Sequence, residues 1–350
     1  MLSPEDGAAT PVQVEELFHI TDDAAGITRR RAGTGFSYRE ASGTTLKDRA
    51  SLQRIRSLAI PPAWSEVWIC PDCNGHLQAT GRDEKGRKQY LYHPRFRELR
   101  ESAKYARLLE FGQTLPAIRA TLADHMALPG LPRLKVLATT VHLLETTLIR
   151  IGNDDYVKQN GSFGLTTLRR RHLQLQGSEL SFRFKGKSGK IWRVQLRDRR
   201  IARILKACQD LRGQRLLQYQ DEGGVMHEVT SSDVNAYLKE ITGADITAKD
   251  FRTWAGTVLT TAALQELGSF DTVTQAKRNV SSAIKHVANH LGNTATICRK
   301  CYVHPDVLQA YLDGTLLVEL DSQTAPIPES GLKPEESAVL AFLKNRLDGI

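Results

Sequence analysis

The run Leu180-Ser181-Phe182-Arg183-Phe184-Lys185-Gly186-Lys187-Ser188-Gly189-Lys190-Ile191-Trp192-Arg193-Val194 alternates apolar and polar residues on either side of a break bracketed by glycines. A period of two buries one face of a strand and cannot serve a helix, whose faces recur every 3.6 residues. The break suits a tight turn, so the run predicts an antiparallel hairpin, and Gly164 to Leu175 before it also reads as period two. The flanking sequence is of another kind. From residue 98 to about 160 the pattern is helical, clearest in Leu134, Val136, Leu137, Val141, Leu144 and Leu148. Further helices are predicted over Ala202–Leu211, Ser232–Ile241, Phe251–Leu267 and Val280–His290, and Pro305 opens another that Gly314 closes. A small antiparallel sheet set into a helical domain is the consequence.

Ahead of this domain the composition changes. Leu52, Ile55, Leu58 and Ala59 fall at helical spacing between Thr45 and Ala59, and Ile60-Pro61-Pro62 stops that helix. Val67 to Cys70 is β-prone, and His76–Thr80 and Lys88–Tyr92 flank a charged turn from Gly81 to Arg87. His93 to Arg100 reads as a polar, basic bridge with the domain boundary near residue 97. A length of 350 residues exceeds one ordinary domain. The architecture expected is therefore α+β: a loose leader over 1–12, a small β-rich domain over 13–97, a larger mainly helical domain with a small sheet over 98–320, and a tail over 321–350 ending in a short helix that carries Leu340, Leu343 and Leu347.

Forty-eight Lys and Arg against thirty-nine Asp and Glu leave a net charge of +9, which favours a polyanionic partner. The opening MLSPEDGAATPVQ has neither the basic nor the apolar stretch of an export signal, and no run of about eighteen apolar residues marks a membrane span, so a cytoplasmic protein is expected. Five cysteines, an odd number, are expected to be reduced thiols. Cys70-Pro71-Asp72-Cys73 and Cys298-Arg299-Lys300-Cys301 have zinc-like spacing with His76 and His304 nearby. The first pair adjoins an apolar strand where a small thiol is ordinary core, and no metal site is predicted. Gly186-Lys187-Ser188 lacks the earlier glycine of a phosphate-cradling loop, since residue 181 is Ser, so no nucleotide cofactor is predicted.

Arg150, Lys187, Arg252, Asn293 and Tyr302 stand in the runs LIRIGNDDY, KGKSGK, KDFRTWAGT, HLGNTA and CRKCYVHP. Singly, each has a bland reading: an arginine at a helix end in an ion pair, a turn lysine in solvent, an asparagine beside glycine in a cap, a tyrosine packed before a helix. Together, in order and spacing, the runs resemble the active-site segments of type IB DNA topoisomerases, particularly the short single-chain forms of bacteria and viruses. That family places Arg, then Lys on a hairpin turn, then Lys-Asp-Leu-Arg-Thr opening a helix, then His or Asn after a helix, and Tyr nine positions later, which is the interval from Asn293 to Tyr302. Gly81-Arg82-Asp83 and Gly86-Arg87-Lys88-Gln89-Tyr90-Leu91-Tyr92 resemble its DNA-clamping strand, so the likeness spans about residues 45 to 315.

The resemblance implies a monomer that closes as a C-shaped clamp on duplex DNA at the bacterial nucleoid, and that relaxes supercoils without ATP, metal or another cofactor. It implies Tyr302 as the nucleophile forming a 3′-phosphotyrosyl bond, Arg150 and Arg252 on the phosphate, Lys187 as general acid to the 5′-oxygen, and Asn293 as a fourth helper. Gln89, Tyr90, Tyr92, Tyr156 and Lys249 are the DNA contacts it carries over. These residue types suit the reaction, because attack builds charge on the nonbridging oxygens, where planar guanidinium forks bind well and can take the place of divalent metals. Many relatives have His where this chain has Asn293, with His290 as the rival position; an amide donates a hydrogen bond but supplies neither charge nor proton. Two other readings compete: a tyrosine recombinase, which typically has His where Lys249 stands, and a DNA clamp without catalysis.

Overall fold

The computed structural model describes residues 17–321 and 331–348, so the expected leader over 1–12 and residues 322–330 of the expected tail lie outside the described residues. The chain divides into two compact units, one up to Lys104 and one from Tyr105.

The smaller unit is built on an antiparallel sheet of β1 (Ile27–Ala32), β2 (Gly35–Arg39), β3 (Ser65–Ile69), β4 (Leu77–Arg82) and β5 (Lys88–Tyr92), in the order β2-β1-β3-β4-β5. Helix α1 (Arg49–Ser57) follows β2 in the chain and supplies Ile55 to a core with Ile27, Leu46, Val67, Ile69 and Ala79. It is shorter than the Thr45–Ala59 pattern because Asp48 caps it, accepting from the Ser51 amide at 2.7 Å, and because Ala59 turns left-handed after it. The three predicted strands are present. Strands β1 and β2 were not expected, and the reason is physical: of β1 only Ile27 is buried, so Thr28 to Arg31 leave no alternation to read.

His93 to Arg100 is not an irregular bridge. Pro94 opens α2 (Pro94–Ala127), its fixed φ and missing N–H suiting the first helical turn. The larger unit continues with α3 (Arg133–Thr147), α4 (Asp154–Asn160), β6 (Leu173–Gln176), β7 (Glu179–Lys185), β8 (Ile191–Arg197) and α5 (Arg199–Asp210). A short pair, β9 (Gln218–Gln220) and β10 (Met226–Glu228), precedes α6 (Ser231–Thr242), α7 (Ala248–Leu267), α8 (Val273–His290), α9 (Ala295–Tyr302), α10 (Pro305–Leu312), α11 (Leu316–Asp321) and α12 (Pro334–Asp348).

Strands β6, β7 and β8 form the small antiparallel sheet, with Leu180, Phe182, Phe184 and Trp192 buried as the alternation requires. Gly164 to Leu175 is mostly not strand; it makes two single 3-10 turns, Leu165–Thr167 and Arg170–His172, before β6 begins. Helix α8 begins a full two turns before Val280, at a cap where Thr272 accepts from the Gln275 amide at 3.2 Å. The core joins α2, α3, α5, α6, α7, α8 and α10 through Phe111, Leu137, Leu205, Tyr237, Leu264, Val287 and Tyr311. Helix α12 belongs to that core, burying Val339, Phe342 and Leu343 and packing on α7. Arg119 of α2 fastens it, pairing with Glu336 of α12 at 2.8 Å and Glu145 of α3 at 2.6 Å.

Candidate active site

Helix α7 begins with a reciprocal cap in which the Thr247 amide and hydroxyl donate to Asp250 Oδ2 at 2.8 and 2.9 Å. Asp250 of the KDFRT run is thus a helix-start residue, and it fixes where the first turn lies. Arg252, two residues on, points inward and is 3% exposed. Its Nη2 donates to the Leu291 carbonyl at 2.7 Å and its Nη1 to the Leu148 carbonyl. Leu148 and Leu291 are the C-caps of α3 and α8, so one guanidinium joins the negative ends of two helices.

The residues that leave those two helix ends are Arg150 and Asn293, and this is why they meet. Arg150 Nη2 donates to Asn293 Oδ1 and to the Gly292 carbonyl at 3.3 Å. Asn293 is held by its backbone, whose N–H donates to the Ala288 carbonyl at 2.8 Å while Gly292 N–H donates to Asn289 at 3.1 Å, a Schellman closure of α8 around Gly292 at φ 59°.

Tyr302 precedes α10, as expected, and is also the last residue of α9; its ring centroid lies 5.1 Å from Arg252 Cζ. Its approach depends on Gly256 in α7: a Cβ there would stand 2.4 Å from the Tyr302 carbonyl oxygen and 3.0 Å from its Cβ. Gly256→Ala is therefore expected to push α9 off α7. The Tyr302 ring would then move away from Arg252.

Burial, and next the like charge of Arg150, push the Arg252 pKa down to about 10, opposed by its interaction with Tyr302. Burial likewise lowers that of Arg150, again opposed by Tyr302. Both remain cationic at neutral pH. Besides the Tyr302 phenol, which both side chains meet, their four acceptors are neutral amide oxygens, so two guanidiniums converge on one phenol with no carboxylate among these partners. Arg252 Nε is buried and has no hydrogen-bond partner. Like charges confined together with a spare buried donor favour an anion between them.

Four of the five expected site residues, Arg150, Arg252, Asn293 and Tyr302, thus converge. Lys187 is exposed at the tip of the β7–β8 hairpin, in a single 3-10 turn whose Ser188 is left-handed at φ 61°. From the same run Lys190 Nζ donates to the Asn293 carbonyl at 3.4 Å, a contact the sequence reading did not single out. His290 lies exposed on α8, its ring 4.7 Å from that of His286, while the neighbouring Asn293 binds Arg150. Tyr156 on α4 is 54% exposed, and Lys249 is exposed in the first turn of α7.

In the smaller unit β5 sends Tyr90 and Tyr92 to one face, their rings nearly parallel at 6.1 Å, and Gln89 to the other. The Gln89 amide donates to Asp83 Oδ2 at 2.9 Å. Cys70 and Cys298 are buried, and burial pushes the Cys298 thiol up to about 11. Among the described residues no group of three or more His, Cys, Asp or Glu could hold a metal ion, and no helix is long and apolar enough to cross a membrane.

The family model for the catalytic core of eukaryotic DNA topoisomerase I matches residues 93–323, and the model for the N-terminal domain of bacterial DNA topoisomerase IB matches residues 35–83. DNA topoisomerase 1B of Acanthamoeba polyphaga mimivirus is 31% identical over 293 residues, covering 82% of this chain and 87% of the viral one. DNA topoisomerase 1 of rabbit fibroma virus (strain Kasza) is 24% identical, covering 66% and 70%, and DNA topoisomerase 1B of vaccinia virus (strain Copenhagen) is 22% identical, covering 68% and 73%. With a core model spanning more than half its length and a viral relative aligned along most of it, the chain belongs to the type IB DNA topoisomerases, a family of isomerases that act on DNA.

Proposed function

We propose that the protein relaxes supercoiled DNA by cutting one strand through Tyr302, letting the duplex rotate, and resealing it. The observation that carries this reading is the pair of uncompensated guanidiniums, Arg150 and Arg252, at a single tyrosine. A phosphodiester set between them would fill the free Arg252 Nε, and the charge that builds on its nonbridging oxygens would be met by donors already in place. The same positive field eases ionisation of the attacking phenol, whose ordinary pKa is ~10.

The Tyr302 oxygen attacks phosphorus as the P–O5′ bond breaks, the DNA 3′-phosphate becomes esterified to Tyr302, and the 5′-oxygen takes a proton from the Lys187 ammonium. Religation is the reverse. One ester replaces another with little change in energy, so torsional strain in the DNA drives relaxation and no ATP is needed. Two guanidiniums supply the charge that metals supply in other phosphoryl transfers, which supports activity without a divalent cation. Asn293 orients Arg150 and donates through its amide to a phosphate oxygen. It adds less than an imidazolium would, because it brings no charge.

Tyr90, Tyr92, Gln89, Tyr156 and Lys249 contact the duplex in this reading, with the protein acting as a monomeric clamp. The two tyrosines on one face of β5 support their part in it, whereas Gln89 must leave Asp83 to reach DNA. The match to a bacterial N-terminal-domain model supports the nucleoid as its place of work. Incubation with negatively supercoiled plasmid in EDTA without ATP is expected to yield relaxed topoisomers. Binding with no relaxation would favour the clamp reading, and recombinant joints between defined sites the recombinase reading; either would overturn this one.

A further inference from the structure

The general acid of this mechanism sits on an exposed hairpin tip, and something must set its distance from the scissile phosphate. Trp192 of β8 is 8% exposed, pairs across the hairpin with Phe184, and stacks on it at 6.2 Å between centroids with planes 9° apart. Its indole abuts two glycines from distant parts of the chain. A Cβ on Gly186, next to Lys187, would come within 2.6 Å of Trp192 Cδ1. One on Gly292, next to Asn293, would come within 2.5 Å of Cζ2. No side chain but hydrogen fits at either contact. Lys190, three residues beyond Lys187, adds its hydrogen bond to the Asn293 carbonyl at 3.4 Å.

The geometry points to Trp192 as a positioning residue that docks the Lys187 hairpin onto the Gly292–Asn293 turn, and so fixes the general acid relative to the Arg150–Asn293 pair. This rests on the proposed role of Lys187 in the same reaction. The indole bridges the two segments whose members must act together: one carries the proton for O5′, the other holds the guanidinium that faces the phosphate. A rigid aromatic with two χ angles does this at little entropic cost. Both contacts fall along one edge of the ring, Cδ1 and Nε1 against Gly186 and Cζ2, Cε2 and Nε1 against Gly292, so a single indole edge touches both segments.

The test separates positioning of the acid from general support of the fold. Cleavage of a substrate with a 5′-bridging oxygen needs the proton, whereas one with a 5′-bridging sulfur expels a thiolate of much lower pKa and does not. Lys187→Ala, Trp192→Ala and Gly186→Ala are compared with the parent in single-turnover cleavage of both substrates. Gly186 has φ −95°, open to any residue, so Gly186→Ala disturbs the indole contact without backbone strain.

For Trp192→Ala and Gly186→Ala the oxygen substrate is expected to be cut about 10- to 100-fold more slowly, the effect of a misplacement of about 1 Å, and the sulfur substrate within about threefold of the parent. Equal slowing on both substrates, or none on either, overturns the inference; if Trp192→Ala does not fold, Gly186→Ala is read alone in the same way. Lys187→Ala keeps the two claims apart. Its own failure to be rescued by sulfur would remove the general-acid reading, whereas rescue of Lys187→Ala without rescue of the other two would remove only the role of Trp192.

Discussion

Tyr302→Phe protein is expected to bind duplex DNA at close to the parental affinity and to relax no plasmid. The substitution removes one oxygen and leaves the ring, so the contact with Arg252, 5.1 Å from the ring centroid, persists and the end of α9 keeps its packing against Gly256. Binding rests on phosphate contacts along the duplex, to which one phenol oxygen adds little. Covalent chemistry has no second route, because no other hydroxyl is placed by the Arg150–Arg252 pair among the hydrogen bonds of the described residues. The loss should be at least about 10⁴-fold, the scale on which a removed nucleophile acts in enzymes that work through one. Plasmid relaxation and filter binding on the same preparation check both halves, and residual relaxation within 100-fold of the parent would remove Tyr302 from the role.

Arg252→Ala should reduce both catalysis and stability, and the two effects have separate causes. In catalysis it removes the buried cation and the free Nε, and loss of a single preorganised donor at a developing oxyanion costs about 10²–10³-fold. In stability it leaves the Leu148 carbonyl, the end of α3, without its Arg252 donor, and the Leu291 carbonyl, the end of α8, with the longer bond from Asn293 Nδ2 at 3.4 Å in place of the Arg252 bond at 2.7 Å. An unsatisfied buried group costs about 1–3 kcal/mol. Arg252→Lys keeps the charge but gathers its three donors on one nitrogen, which lacks the spread of the guanidinium fork across two helix ends and a phosphate, so it should restore part of the stability and little of the rate. Thermal unfolding and single-turnover cleavage measured on both variants check this. An Arg252→Lys enzyme as fast as the parent would mean that charge alone matters, against the geometry described.

The parts of the molecule that were legible in the sequence are those where one element buries one face. The β7–β8 hairpin was plain because Leu180, Phe182, Phe184 and Trp192 share a buried side, and α7 and α8 because their apolar residues recur at helical spacing. Strands β1 and β2 were not legible, since three consecutive arginines occupy half of β1 and only Ile27 of it is buried, and the pairing partner lies across a two-residue turn at Gly33 and Thr34. Helix α9 was not legible because ATICRKCY buries only Cys298, too little for a periodic signal, so the sequence shows the helix that follows Tyr302 but not the one that Tyr302 ends.

At the site, residue types were readable and their mutual support was not. That Arg150 binds Asn293 follows from Arg252 joining the ends of two helices more than a hundred residues apart, and nothing local encodes it. Gly256 did leave a trace, a glycine inside a helical pattern, which commonly marks a close backbone approach. The clasp of Trp192 by Gly186 and Gly292 left none, because each glycine alone reads as a turn residue.

In the proposed reaction Tyr302 becomes covalently joined to the 3′-phosphate of the cut strand. Trapping the enzyme on a duplex whose cleaved 5′ fragment is short enough to diffuse away, followed by proteolysis and mass spectrometry of the DNA-linked peptide, tests it directly. A single adduct on Tyr302, in the peptide around CRKCYVHP and with a 3′-phosphoryl linkage, is expected. An adduct on any other residue, or a linkage to the 5′-phosphate, would contradict it.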